Sequence, residues 1–355
     1  MKTLLKNRGT SSNPEGRFES LTRDVFYDDW YEEDETLPLL QTEYIEEKSK
    51  SIIARNDSPD LGFEQSINPY QGCEHGCVYC YARPTHGYKN LSSGLDFESK
   101  IFYKTNAAEL LEKELSKKNY QCKPIVLGAN TDPYQPIESK LKITRQILQV
   151  LNAYNHPAII ITKGAMIERD SDILQEMAQR NLIKIRISIT SNLNSLKRIL
   201  EPRASSPQSR FNVLKKLNEL NIPTGILVAP IIPFINDMEL EKIMAKAQQN
   251  GAKHAGFVLI RLPHEVKDLF KEWLTTHFPQ RAAHVMSIIK DMRGGKEYDA
   301  TFGVRMRGVG EYANLLALRF ELACKKFQLN QEPSVKLDVT QFKHQSKDPY
   351  QLSLW

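Results

Sequence analysis

The sequence predicts an α/β fold, a parallel sheet covered by helices, and three observations carry that prediction. Short β-branched runs recur from about residue 66, amphipathic helical segments separate them, and polar or glycine-containing stretches cluster just after the runs. Near-continuous apolar strands joined by helical crossovers require a sheet covered on both faces. That leaves a doubly wound sheet or a complete or partial (β/α) barrel.

The first strand is expected near residues 66–71. Helical spacing of Ala108, Leu111 and Leu115 follows, and Ile125-Val126-Leu127 reads as the second strand. Leu148, Leu151 and Tyr154 mark a helix before the run Ala158-Ile159-Ile160-Ile161-Thr162, and Ile173, Leu174 and Met177 mark another before the run from Ile183 to Thr190. Leu214, Leu217 and Leu220 then precede Thr224 to Ala229, and Gly256-Phe257-Val258-Leu259-Ile260 completes six strands. After about residue 263 the rhythm fades until one more helix, expected over 311–327. The chain therefore divides into an acidic, largely irregular leader (1–60), a barrel core (61–278) and a C-terminal extension or cap (279–355).

With 355 residues, 41% hydrophobic and 26% charged, the chain can fill a sizeable core. It has no run of about 18 apolar residues, and Met1 to Arg8 lacks the apolar stretch of a secretory signal. A cytoplasmic protein with no membrane partner is expected. The net charge of +5 is uneven: residues 1–60 hold 8 Lys/Arg against 14 Asp/Glu, so the rest carries +11. A basic body admits an anionic partner such as nucleic acid, although scattered solvated lysines give the same count. The acidic run at 28–35, with Trp30 and Tyr31 embedded in it, receives no role.

Five cysteines make an odd number, and three fall within eight residues, which suits metal ligation better than a disulfide framework. Cys73-Glu74-His75-Gly76-Cys77-Val78-Tyr79-Cys80 has C-x3-C-x2-C spacing and directly follows the first expected strand. Three thiolates on one loop can hold three corners of an iron–sulfur cube and leave the fourth iron open to an outside ligand. The alternative is a zinc site completed by His75 or His86. Zinc modules normally bring a second C-x2-C or C/H-x3-5-H pair, and the chain has none. Cys122 and Cys324 stand alone and read as small buried hydrophobes.

The cysteine spacing, with aromatic Tyr79 just before the last cysteine, resembles the radical S-adenosylmethionine superfamily. Cys77-Val78-Tyr79-Cys80-Tyr81, the Asn130-Thr131-Asp132 turn, Lys163 ending a strand and Ser188-Ile189-Thr190 resemble, more closely, the branch containing spore photoproduct lyase. Within that branch Glu74-His75-Gly76, Tyr81 to His86, Leu95-Asp96-Phe97-Glu98 and Glu201-Pro202-Arg203-Ala204 look like a bacterial subfamily. The resemblance spans roughly residues 50 to 325 and implies a partial (β/α)6 TIM-type barrel. It implies a [4Fe–4S] cluster on Cys73, Cys77 and Cys80 that reductively cleaves S-adenosylmethionine to methionine and a 5′-deoxyadenosyl radical. An electron donor such as flavodoxin or ferredoxin would be the partner. Nucleic acid is the first substrate class, and a protein or peptide the second.

The same resemblance supplies cofactor-contacting candidates. Lys163 matches a lysine expected near the cofactor carboxylate, and Ser188 and Thr190 end the fourth strand as possible donors. Asn130 and Asp132 follow the second strand, and Arg203, ahead of Arg210, is the preferred cation after the fourth. Tyr79 and Tyr81 flank Cys80, where the lyase branch has tyrosines linked to cofactor contact and hydrogen-atom relay. One departure stands out. Ala129 occupies the place of that branch's cysteine hydrogen donor, and Cys122, seven residues upstream, falls at the opposite edge of the sheet. Thymine-dimer cleavage by the same route is therefore not expected.

Overall fold

A computed structural model describes residues 8–15 and 40–344. The acidic run at 28–35 lies outside the described residues. The strands are β1 (Glu43–Glu46), β2 (Ile53–Arg55), β3 (Gln65–Ile67), β4 (Tyr70–Gln71), β5 (Lys100–Tyr103), β6 (Ile125–Leu127), β7 (Ala158–Thr162), β8 (Ile183–Ser188), β9 (Thr224–Ile231) and β10 (His254–Leu259). Seven form one sheet in the order β10-β9-β8-β7-β6-β3-β2. All pairings among β3 and β6 to β10 are parallel, and β2 lies antiparallel on the edge beside β3. The six expected strands are thus the six parallel ones, arranged as a partial barrel. The first is shorter than the sequence suggests: Pro69 separates β3 from β4, which joins a small sheet of order β1-β5-β4.

One local device repeats along the barrel. The helices Ile143–Ala153, Ser171–Gln179 and Pro207–Glu219 are each followed by an asparagine with positive φ, namely Asn155 (48°), Asn181 (55°) and Asn221 (56°). Asparagine tolerates this conformation, and the next amide closes back on the last helical turn: His156 N to Leu151 O at 2.8 Å, Leu182 N to Met177 O at 2.9 Å, Ile222 N to Leu217 O at 3.0 Å. Within three residues the following strand begins. After the helix Leu240–Gln249, Gly251 (φ 89°) serves in the same way. In β7 and β8 buried residues alternate with half-buried ones, so that one face of each strand packs inward.

The stretch read as an irregular leader contains β1 and β2, and residues 8–15 are tied down as a strap. Gly9 N, Thr10 N and Thr10 Oγ1 donate to the buried Glu98 carboxylate at 2.8, 3.1 and 3.0 Å, and Ser11 and Ser12 hydroxyls reach Glu272. The C-terminal extension folds over the end of β10: Leu259 N donates to Met306 O at 3.0 Å. Arg305 pairs with Asp60 at 2.6 Å and so links this cap to the loop after β2 at the other edge of the sheet. The polar tail runs along the N-terminal ends of the strands, where Lys343 N bonds Tyr154 O and Phe342 packs against Tyr120, Tyr154 and His156. No helix among the described residues is long and apolar enough to cross a membrane.

Candidate functional site

The cysteine loop leaves β4 at the C-terminal ends of the parallel strands, the edge at which such sheets bind ligands. Two glycines let it turn. A side chain on Gly72 (φ +81°) would come within 2.8 Å of Lys100 O, and one on Gly76 (φ +66°) within 2.9 Å of Glu98 Oε2. The loop is then pinned through Cys73 N to Phe97 O (2.9 Å), Val78 N to Leu200 O (3.2 Å) and Cys80 N to Cys77 O (3.2 Å).

Cys73 and Cys77 are buried, Cys80 is half-buried, and all three are free thiols. They are near enough to oppose one another's ionisation. Burial pushes the Cys77 thiol up to about 12, with Lys163 opposing and Glu201 and Cys80 adding. Burial, Asp132 and Cys77 push Cys73 up as well. Bound metal reverses that bias, because a coordinated thiol gives up its proton outright. Among the described residues no three His, Cys, Asp or Glu side chains gather around a single ion. A [4Fe–4S] cube does not ask them to, since each thiolate takes a different corner. The donor set, three thiols free of any disulfide on one tight loop, fits such a cluster.

Each of the two nearby histidines has one ring nitrogen engaged by another group. His75 Nδ1 lies 3.4 Å from Asp132 Oδ2, and His86 Nε2 lies 3.0 Å from Lys100 O against the Phe97 and Phe102 rings. Burial pushes the His86 imidazole down to about 4.

Asp132 joins the loop to the barrel. Its carboxylate accepts from Thr162 Oγ1 (2.6 Å), Tyr134 N (2.9 Å) and Lys163 N (2.7 Å) in addition to facing His75. Burial works against its charge, but His75, Thr162 and the Lys163 amide together hold the carboxyl well below the usual range. Its oxygens are therefore engaged within the protein, and it acts as a brace. Asn130 is exposed at the rim, its amide bonded to Asn68 Oδ1 at 3.1 Å.

Lys163 ends β7 beside Cys77, Glu201 and Asp132, and these three anionic or ionisable groups keep it protonated against the effect of burial. Its ammonium has no hydrogen-bond or ion-pair partner among the described residues. Thr190 and Ser188 lie next to it along the rim, both buried. Thr190 Oγ1 donates to Glu201 Oε1 at 2.5 Å, Tyr79 OH donates to the same oxygen, and Arg210 pairs with Glu201 Oε2. Burial opposes the Glu201 charge, yet Arg210, Lys163, Thr190 and Tyr79 bring its pKa down to about 2. Glu201 is thus a hub of the site that sequence reasoning missed. The sequence shows a glutamate in a loop, and nothing in its spacing reveals the buried partners.

Two expectations change in detail. Arg203, preferred over Arg210 as a cofactor contact, is ion-paired with Glu74 at 2.8 Å, on the side where Thr42 and Tyr44 also reach that carboxylate. The arginine facing the interior of the site is Arg210, which also donates to Ser188 O at 2.9 Å. Tyr79, expected as a relay beside Tyr81, is buried on Glu201, whereas Tyr81 is 42% exposed in the mouth and donates to Ala129 O. Cys122 precedes β6, away from the mouth, and Cys324 lies in the helix Gly310–Lys326.

The family model described as the Radical SAM superfamily matches residues 67–247. Uncharacterized proteins of Mycobacterium tuberculosis and Mycobacterium bovis are 31% identical over 222 residues, covering 62% of this chain and 65%, less than two thirds, of theirs. One from Methanocaldococcus jannaschii is 30% identical over 197 residues, 56% of this chain and 71% of that protein. Among solved structures, spore photoproduct lyase complexed with dinucleoside spore photoproduct aligns with a TM-score of 0.56 at 15% identity, over 80% of this chain and 79% of that one. At that identity the likeness is one of fold.

Proposed function

Because the chain belongs to the radical SAM superfamily, we propose that Cys73, Cys77 and Cys80 hold a [4Fe–4S] cluster whose remaining iron takes S-adenosylmethionine. The observation that carries this reading is the set of three free, mutually close thiols beside Lys163, whose ammonium feels Glu201 and Asp132 but has no hydrogen-bond or ion-pair partner among the described residues. When bound, the cluster supplies the electron that divides the cofactor into methionine and a 5′-deoxyadenosyl radical.

The chain's own residues bind and orient. Lys163 offers a point charge to the cofactor carboxylate, and Thr190, on the Glu201 hub, lines the same rim. The loop and its strap keep water from the buried side of the cysteines. Tyr81, with its hydroxyl held on Ala129 O, is part-exposed in the mouth, while Ala129 itself offers no thiol. A substrate giving up a hydrogen atom to this chemistry would sit in the mouth, beside Tyr81. Nucleic acid is the substrate class favoured by the +11 carried by residues 61–355 and by the fold likeness to a lyase solved with a dinucleoside. A one-electron donor of the flavodoxin or ferredoxin type completes the system.

Anaerobic reconstitution with iron and sulfide counting, then dithionite and S-adenosylmethionine with chromatography for 5′-deoxyadenosine, tests the reading. About four irons per chain and product from native protein, with neither from Cys77→Ala, are expected. Bound zinc with no cleavage product rejects it.

A further inference from the structure

The mouth of the barrel holds a second cation, Arg261, with no ion pair among the described residues. Arg261 follows β10 by two residues, and its guanidinium lies 4.8 Å from the centroid of the Tyr81 ring on the cysteine loop. Tyr81 in turn bonds Ala129 O just beyond β6. Arginine, tyrosine and alanine thus bridge the last parallel strand and the second across the top of the curved sheet.

The other partners of Arg261 are poor. Nη1 lies 3.4 Å from the Met306 thioether, a weak acceptor, and Nε is buried with no partner. Asp60, the carboxylate whose field it shares, is taken by Arg305 Nε at 2.6 Å and Gly303 N at 2.6 Å. Arg293, close by, adds like charge and directs its own donors to Ile260 O and Val304 O, both at 2.7 Å. A half-buried guanidinium with a repelling neighbour, a shared carboxylate at a distance and no oxygen acceptor of its own has unused donors, and an arriving anion with two oxygens satisfies them. The two cations differ in their surroundings. Lys163 sits among Cys77, Glu201 and Asp132, whereas Arg261 packs over the Tyr81 ring beside Met306.

We propose that Arg261 binds a phosphate group of the substrate, with Tyr81 holding the guanidinium in place. This deepens the reading given under Proposed function and rests on it. Phosphate is favoured over carboxylate because Tyr81, which carries the guanidinium over its ring, is itself part-exposed and offers aromatic surface next to the cation. A nucleotide presents that pair of features, a planar base next to a phosphate, and an acidic side chain does not.

The test uses reconstituted holoprotein and fluorescence anisotropy with a labelled single-stranded DNA hexamer, over a range of salt. A hexamer of the same sequence with an uncharged methylphosphonate backbone and thymidine 5′-monophosphate as competitor complete the set. Native protein should prefer the charged hexamer, and Arg261→Gln should weaken binding about tenfold and lower the log–log salt slope by about 1. Arg261→Lys, which keeps the charge and loses the planar fork, should fall between the two, and it carries the test if the glutamine variant does not fold. Competition by the monophosphate at equal affinity assigns the phosphate to a free nucleotide, and competition by the hexamer alone assigns it to a strand. Variants binding as native does, with the slope unchanged, overturn the proposal, as does a folded native protein that binds neither probe. Formation of 5′-deoxyadenosine by native protein is read separately. Binding without it rejects the radical reading and leaves the anion site, while the reverse rejects the anion site alone.

Discussion

The repeating part of the barrel, from the helix Ile143–Ala153 to β10, and the irregular part around the cysteine loop are held by different physics. In the first, apolar faces pack on the sheet, and each helix hands over to the next strand through a left-handed residue whose partners lie within a few positions. In the second, three buried carboxylates collect donors from both nearby and far along the chain, each taking at least one from more than eighty positions away. Glu98 takes Arg83 at 2.5 Å with the Gly9–Thr10 strap, Glu74 takes Thr42, Tyr44 and Arg203, and Glu201 takes Tyr79, Thr190 and Arg210. The difference teaches that the frame is local and redundant, whereas the reactive loop depends on single charges in a medium of low dielectric, where an unpaired charge is expensive.

The sharpest way to break the comparison is to remove one charge from the irregular part. Glu98→Ala strands Arg83, whose side chain is wholly buried, and should cost about 3–5 kcal/mol, read from anaerobic urea unfolding. A loss no larger than that of a helix-end variant would sink the contrast. Next in size is Lys163→Met at the junction of the two parts. Losing a charge-assisted contact to the cofactor should raise the KM for S-adenosylmethionine by about 10- to 100-fold, and an unchanged KM removes Lys163 from the cofactor site. In the repeating part, Asn181→Ala places a Cβ-bearing residue at φ 55° without asparagine's tolerance for it and should cost only about 1 kcal/mol.

The smallest effect concerns acid. His156, at the start of β7, is pushed by burial from the usual 6.5 down to about 4, against a weaker pull from the Pro157 carbonyl, and its Nε2 lies 2.8 Å from Tyr120 OH. Its folded pKa is below the unfolded one, so the unfolded chain takes the proton first. The corresponding stability is complete above about pH 6.5 and is lost as pH falls through about 4. Urea midpoints should fall across that window, and the fall should be shallower in His156→Gln. Equal slopes in both proteins assign the acid sensitivity elsewhere.

Most of the repeating part was legible, because a strand or helix of this kind writes its burial into neighbouring positions: β6 to β10 fall on the apolar runs, and the helices between them on the 3.6-residue spacing. The leader was not. Its β1 pairs with β5, a partner more than fifty positions away, and the strap of residues 8–15 is fixed by Glu98, so local composition carried no trace of either. Within the site, the grouping of the cysteines was legible because their C-x3-C-x2-C spacing is local and puts all three thiols on one loop. The division of labour between Arg203 and Arg210 was not, because two arginines seven positions apart look alike until one is buried against Glu201 and the other leans on Glu74.

By itself, then, the sequence determined what is encoded in short-range periodicity and spacing: six parallel strands with their helices, and three thiols on one loop after the first strand. The tertiary structure decided which charges meet. It made Glu201 a hub and Asp132 a brace, and among the described residues it left Lys163 and Arg261 without an ion pair at the mouth. The physical reason is one of range. Backbone propensity and side-chain alternation act between neighbours, while the pairing of buried charges depends on distances that exist only once the chain has closed on itself.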